Sequence, residues 1–442
     1  MGLFSRRAAA EPGPRVVIVG AGFGGLAAAQ ALAGTPANVT WIDRRNHHLF
    51  QPLLYQVATA ALSATDIAVP LRGLARGYRN IDVLMDEVVD IDRHRQQVIT
   101  RHRRVPFDVL IVATGAETSY FGNEHWREVA WGLKSLEEAT ALRAHILGAF
   151  EEADRDENED RKRRLLTFVL IGAGPTGVEM AGAIAEVAQS ILKQDYKHVD
   201  PNQVSIILLE AMDAILPGFP DDLVRYAHDK LERMGVRVRV GTMVEEISEQ
   251  CCVAGGERFV AGNIIWSAGV KATPAAQWLK VEADKKGRVQ VGRELLVPGT
   301  TNLYVIGDAA LAVDPGGQPF PGLAAVAKQQ GAYVARRIRD ETAGKTPSPA
   351  FRYTDWGTMA TLGYTSAVAD LHRVHLKGRL GWLVWATVHV WYLIGFRNRL
   401  RVILNWVWAY VTYRPGARLI TSGAKPPPRA EEALERTRES AP

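Results

Sequence analysis

Cysteine is nearly absent: the 442 residues hold two, adjacent at Cys251 and Cys252. A disulfide framework and a multi-cysteine metal site are thereby excluded, and the scarcity fits a reducing compartment. The N-terminus does not read as a secretory signal either. The opening MGLFSRRAAAEPGPRVVIVG follows its basic pair with alanines and prolines, not with an apolar core. Arg6 stands where a myristoylation motif following Gly2 wants Ser or Thr, so a plain tail before the first strand is expected. Acids are lacking from Leu371 to Ala430, where ten bases stand, which concentrates the net charge of +5 at one end. The apolar stretch Leu380–Phe396 has only 17 residues and contains His389, at the lower limit for a span of about 17–25. Apolar residues at 47% and charged ones at 23% exclude a disordered or collagenous chain. The length allows about three domains.

Glycine is plentiful, at 40 residues, and gathers in a few short loops. Two of these share one design. Arg15-Val-Val-Ile-Val runs into Gly20-Ala-Gly22-Phe-Gly24-Gly25 and an Ala/Leu-rich helix over Leu26–Ala33. Phe168-Val-Leu-Ile runs into Gly172-Ala-Gly174-Pro-Thr-Gly177-Val-Glu179 and a helix over Met180–Leu192. One GxGxxG is a weak signal; two, each between a strand and a helix, are a strong one for dinucleotide binding. The first glycine permits the tight turn, the second lets backbone approach a pyrophosphate, and the third lets helix pack on strand. The helix N-terminus then offers free N–H groups to the phosphates.

Each fingerprint needs an acid at the end of the next strand to hold a ribose hydroxyl. Asp43 ends Val39-Thr-Trp-Ile-Asp43, and Glu210 ends Val204-Ser-Ile-Ile-Leu-Leu-Glu210. Glu210 stands 33 positions after Gly177, beyond the usual distance of about 20 from the motif; an extended helix and a loop at 198–202 account for the excess. Three further strands end in characteristic turns: Asp108 to Thr114-Gly115, Asn263 to Ala268-Gly269, and Thr301 to Gly307-Asp308. The expected organisation is a first dinucleotide domain over 14–125 and 295–350, a second inserted over 126–294, a C-terminal region over 351–421 and a disordered tail over 422–442. The run Glu151–Arg164 mixes both signs and reads as a solvated helix face and loop.

These residues resemble the two-dinucleotide-binding-domain flavoprotein superfamily, in which the first fingerprint binds FAD and the second the nicotinamide cofactor. Finer motifs are similar to those of the type II NADH:quinone oxidoreductases: Phe50-Gln-Pro52-Leu-Leu-Tyr55-Gln-Val-Ala58, Gly174-Pro-Thr-Gly177-Val-Glu179, Pro321-Gly-Leu-Ala324-Ala-Val-Ala327-Lys-Gln329-Gln-Gly331, Asp355-Trp-Gly357 and the Trp- and Arg-rich C-terminus. The resemblance covers residues 14–421. It implies an α/β fold of two Rossmann-like domains with a C-terminal amphipathic, membrane-associating helical region. It also implies a hydride passing from NADH to FAD and two electrons passing on to a membrane quinone, without proton pumping.

By the same resemblance Gly20, Gly22, Gly25 and Asp43 hold the ADP half of FAD, Thr114 and Gly115 approach the flavin, and Asp308 meets its ribityl chain. Gly172, Gly174, Gly177 and Glu210 hold NADH. Glu210 favours NADH over NADPH, because a carboxylate repels a 2′-phosphate. Glu179 is expected at the nicotinamide–flavin junction as a catalytic residue that orders NADH or relays protons, although a carboxylate at a helix N-terminus has its own stabilisation of about 0.3–1 kcal/mol. The quinone is expected against Ala325, Lys328 and Gln329. The family shows Ala-Gln-x-Ala-x-Gln-x-Gly here; this chain keeps the second Gln as Gln329 and has Ala325 in place of the first. Without a His/carboxylate cluster, His47-His48 reads as a loop beside the flavin and no metal is expected. Cys251 and Cys252 are neighbours in a hairpin pattern, on opposite faces of a strand, so a redox bridge is not expected.

The ten C-terminal bases interleave with Trp382, Trp385, Trp391, Trp406 and Trp408. This pattern fits helices lying in the interface of an anionic membrane, peripheral on the cytoplasmic face; a membrane span and a homodimer interface are the alternatives for the same segment. Nucleic acid is not expected, because the bases flank apolar segments too long for a groove-binding surface. Two other functions compete: a reductase of a soluble acceptor, against which the missing cysteines and greasy C-terminus count, and a non-enzymatic NADH-responsive flavoprotein resembling apoptosis-inducing factor.

Overall fold

The computed structural model describes residues 13–192, 195–347, 349–412 and 417–420. The expected N-terminal tail before residue 13 and the expected tail over 422–442 lie outside the described residues.

Two compact units divide the chain. The first runs up to His48 and resumes over Val69–Glu117 and Val270–Thr354; the second is Leu49–Ala68, Thr118–Gly269 and the chain from Asp355 on. In the first unit the β-branched strands Arg15–Val19, Asn38–Asp43, Ile81–Met85, Val109–Val112 and Leu303–Val305 form one parallel sheet. Its spatial order is Leu303, Val109, Arg15, Asn38, Ile81, naming each strand by its first residue. Near-continuous apolar runs such as Val16–Val19 are what a sheet covered on both faces requires. The fingerprint helix Phe23–Leu32 packs against the helix Ala324–Thr342. Gly331 makes that crossing possible: a Cβ there would stand 2.1 Å from the Gly24 carbonyl oxygen.

The second unit repeats the plan. Its parallel sheet runs Asn263–Trp266, Thr167–Ile171, Ser205–Leu209, Val236–Arg239. Each unit adds a three-stranded antiparallel meander: Val88–Asp92, Gln97–Thr100 and Arg104–Pro106 in the first, Val244–Ser248, Cys251–Ala254 and Glu257–Val260 in the second. Cys251 and Cys252 sit in the latter as free, buried thiols, and burial pushes the Cys252 thiol up to about 12. The mixed-charge run closes one helix at Arg155 and forms another over Glu159–Leu165, with exposed Glu159–Lys162 and Asp160–Arg163 pairs.

The partition departs from the expected boundaries in several places; the stretch 118–125, for one, lies in the second unit. Residues 270–294 lie in the first unit, where Val289–Gln290 pairs with Ala310–Leu311 and the Thr273 hydroxyl bonds to Thr114 at 2.6 Å. The segment Leu49–Ala68 lies in the second, where Tyr55 bonds to Thr361 and Gln56 to Trp406. The C-terminal region does not stand apart. Its strands Thr358–Thr361, Ala367–Asp370 and His375–Lys377 and its helices Gly378–Tyr392 and Phe396–Thr412 all belong to the second unit. Tertiary hydrogen bonds tie that region in, so it was the amphipathic pattern, legible without them, that suggested a separate segment.

No described helix is long and apolar enough to cross a membrane. The C-terminal tryptophans divide by environment. Trp385 is buried, stacked on His389 and tilted against Trp406, whereas Trp391 and Trp408 are exposed.

Candidate functional site

Both fingerprint turns are built alike. Gly20 and Gly172 have φ of +104° and +94°, a region open to glycine. A Cβ on Gly25 or Gly177 would stand 1.9 Å from the carbonyl oxygen of Gly20 or Gly172, so only glycine lets the helix close on its turn. At Gly22 and Gly174 a Cβ would meet nothing within 4 Å. Backbone is therefore bare in front of a helix N-terminus, where a pyrophosphate binds.

The two acids are held identically. Asp43 accepts from the N–H of Ala21 at 2.6 Å and of Arg45 at 2.7 Å; Glu210 accepts from the N–H of Ala173 at 2.6 Å and of Met212 at 3.0 Å. Each carboxylate thus latches the residue after the first glycine to the end of the next strand. Burial pushes the Asp43 carboxyl up, against these two hydrogen bonds. The long spacing to Glu210 is taken up by a π turn over Ala188–Leu192 and the turn at Pro201–Gln203.

Thr114, Gly115 and Asp308 stand at the carboxyl ends of the first sheet's strands, where open α/β sheets bind ligands. These bare turns, the ribose-side acid and the strand-end polar groups fit a flavin dinucleotide. Gln330, which sequence reasoning passed over, is buried and accepts from the Gly307 N–H at 2.7 Å, fixing the turn that carries Asp308. Its neighbour Gln329, expected against the quinone, is engaged with backbone: its amide donates to Thr354 O and accepts from Thr354 N–H, both at 2.9 Å. Ala325 is half-buried and Lys328 exposed on the same helix.

His48 is not a loop residue. It lies in a short strand, buried, with Nδ1 on the Ala21 carbonyl at 2.7 Å and its ring edge-on to Phe23. Burial lowers its pKa to about 4, so it supports the first fingerprint as a neutral imidazole. Among the described residues no cluster of His, Cys, Asp and Glu could hold a metal.

Glu179 lies on the helix Pro175–Val187, buried, accepting from the Thr361 N–H at 3.3 Å. Burial pushes its pKa to about 8, so it is largely protonated at neutral pH. It borders a cleft lined also by Gln51, Pro52, Tyr55, Lys134 and Thr176. A hydrogen-bonded chain leads away from it: Trp406 Nε1–H donates to Gln56 at 2.8 Å, Gln56 to the Tyr55 hydroxyl at 2.9 Å, and that hydroxyl meets Thr361 Oγ1 at 2.8 Å. Sequence reasoning gave no role to Tyr55, Gln56 or Glu186. Glu186 had one available signal, a second acid two helical turns after Glu179 on an otherwise apolar helix.

Known proteins resemble this chain throughout. A family model described as pyridine nucleotide-disulphide oxidoreductase matches residues 14–331. The chain is 41% identical over 439 residues to the type II NADH:quinone oxidoreductase Ndh of Mycobacterium tuberculosis, covering 96% of this chain and 92% of that protein. It is 29% identical over 379 residues to the type II NADH:quinone oxidoreductase of Staphylococcus haemolyticus, covering 84% of this chain and 92% of that protein. Among solved structures, NDH2 from Plasmodium falciparum in complex with NADH matches with a TM-score of 0.85 at 20% identity, over 92% of this chain and all of that one.

Proposed function

The chain belongs to the type II NADH:quinone oxidoreductases, and from that premise we propose which residues carry the reaction. It is an FAD-dependent enzyme that oxidises NADH and reduces a quinone without pumping protons. When bound, FAD accepts the hydride and delivers the two electrons; the protein binds, orients and adjusts charge.

Gly20, Gly22 and Gly25 hold the pyrophosphate of FAD, Asp43 its ribose, Thr114 and Gly115 the flavin side, and Asp308 the ribityl chain. Gly172, Gly174, Gly177 and Glu210 do the same for NADH, and the Glu210 carboxylate selects against a 2′-phosphate. Glu179, neutral at pH 7, orders the nicotinamide end. Ala325, Lys328 and Gln329 border the quinone, with Gln329 fixing the chain at Thr354. The observation that carries this reading is the repeated latch, in which each fingerprint's own acid grips its own turn. A β-turn without nucleotide has no need of it.

The C-terminal helices dock on an anionic membrane surface, peripherally and on the cytoplasmic face. Support comes from exposed Leu380, Leu383, Trp391, Phe396 and Trp408 beside exposed Arg397 and Arg401. Stopped-flow reoxidation of the NADH-reduced enzyme by ubiquinone and menaquinone analogues, a soluble disulfide and oxygen tests the function. Fast discharge to a quinone is expected. Preference for the disulfide, or slow discharge to every acceptor, overturns it.

A further inference from the structure

The helix Pro175–Val187 buries two acids, Glu179 and Glu186. Seven residues apart, they share one face and stand about 10 Å apart along the axis. Tyr55 stands between their surroundings: it lines the cleft of Glu179 and also a second, small cavity to which Glu186 contributes. The second cavity is walled by Trp382 and Trp406 from the C-terminal helices, with Gln56 and Tyr364.

Glu186 is poorly matched to a purely structural place. Among the described residues no cation forms an ion pair with it; both its oxygens accept from a single donor, the Tyr364 N–H, at 2.6 and 2.7 Å. The Tyr364 hydroxyl is buried and has no hydrogen-bond partner among the described residues. An unpaired buried carboxyl keeps its proton, because burying the charge costs more than protonation. Burial accordingly pushes the Glu186 pKa to about 8, with Lys230 acting weakly in the other direction. The remaining titratable groups facing it are the hydroxyls of Tyr364 and Tyr55, both raised by burial, and Glu179 beyond Tyr55.

We propose that Glu186 is the proton-holding residue of the quinone half-reaction, delivering through the cavity between Trp382 and Trp406 the one proton that NADH does not supply. The inference rests on the reading of the chain as a quinone reductase. The balance is simple. NADH gives two electrons and one proton, whereas a quinone becoming a quinol takes two of each. The Glu186 O–H bond breaks, an O–H bond forms on a quinone oxygen, and water reprotonates the carboxylate. The Tyr364 hydroxyl, which has no partner among the described residues, would orient the acceptor oxygen or an intervening water.

The competing role is a clamp. Gly363 has φ +93°, and a Cβ there would stand 2.3 Å from Glu186 Oε1, so the carboxyl also fits the 363–364 turn. Glu186→Gln keeps the shape and the acceptor for the Tyr364 N–H; Glu186→Asp keeps the proton. Both are measured as full-length, FAD-loaded protein by stopped flow. In wild type, reoxidation by a short-chain quinone is expected to slow as pH rises past about 8, with a solvent deuterium effect. Glu186→Gln should slow it at least about tenfold and remove both the pH dependence and the isotope effect. Glu186→Asp should restore a proton-dependent profile, and reoxidation by ferricyanide, which takes no proton, should be unchanged in every variant. Normal quinone reoxidation in Glu186→Gln overturns the proposal, as does equal slowing with quinone and ferricyanide, which assigns the residue to the clamp. Wild type that is not reoxidised by quinone at all would instead refute the parent reading.

Discussion

Trp391, Phe396 and Trp408 are 73%, 81% and 61% exposed on the two C-terminal helices, and replacing all three with serine is the sharpest test of membrane docking. Truncation before these helices is the poorer experiment, since it removes Trp406 from Gln56 and Trp385 from the core. With aromatic side chains offering about 150–250 Å² each, the three rings present on the order of 400 Å² to solvent. At roughly 25 cal/mol per Å², full burial stabilises docking by about 10 kcal/mol, and half-depth insertion by about 5 kcal/mol. The latter corresponds to a partition coefficient lower by a factor of about 10³–10⁴ when the rings are lost. The bases remain, each contributing about 1 kcal/mol near an anionic surface, so residual binding should be salt-sensitive where wild-type binding is only partly so. Co-sedimentation with anionic liposomes across a salt series measures both quantities. Thermal unfolding and NADH oxidation with a hydrophilic acceptor should be unaltered, because none of the three side chains is buried. Undiminished sedimentation of the triple variant would refute the docking surface. Loss of a dimer in its place would assign the face to a subunit contact.

Glu210→Ala should lower kcat/KM for NADH relative to NADPH; an unchanged ratio in steady-state kinetics removes Glu210 from the ribose. Ala325→Gln should shift quinone KM and leave stopped-flow flavin reduction by NADH intact, and the reverse outcome places that segment elsewhere. Gln330→Ala leaves the Gly307 N–H without its acceptor, a cost of about 1–3 kcal/mol, and should be seen as lower thermal stability and easier loss of FAD on gel filtration. The pH dependence of unfolding should carry two opposed signatures. Glu179 and Glu186, raised to about 8, contribute stability that is complete below about 4.5 and is lost as pH rises through 8. His48, lowered to about 4, is bound to a proton more readily when unfolded, so stability falls as pH drops from about 6.5 towards 4. Glu186→Gln should therefore stabilise the protein at pH 8 and lose that advantage near pH 4.5 in denaturant titrations.

The fingerprints were legible because their requirements are local: a strand, three glycines and an acid at the next strand's end are fixed by sequence over a few dozen residues. The same holds for the strand ends at Thr114, Gly269 and Asp308. What sequence could not reveal depends on partners far along the chain. Gln56 and Trp406 are 350 positions apart and Glu179 and Thr361 are 182 apart, and neither pairing leaves a periodic trace. An adjacent His pair with no carboxylate cluster suggests a loop beside the flavin, while only the fold reveals the Ala21 carbonyl that claims the His48 ring. Gln329 and Gln330 show the limit of a motif: it marks that two amides matter, and the backbone decides that one holds Thr354 and the other Gly307.

The latch formed by Asp43 and Glu210 makes specificity and architecture inseparable. One carboxylate both terminates a strand and ties down the glycine turn, leaving only its outward lone pairs for a nucleotide. Retuning the second site towards a phosphorylated nucleotide by removing charge at Glu210 also releases the N–H groups of Ala173 and Met212. An amide in its place satisfies only one of them as an acceptor. Any lineage or design that changes nucleotide preference must therefore rebuild the turn as well, with new acceptors for both groups. A single neutral substitution is expected to yield a slacker site before it yields a reprogrammed one.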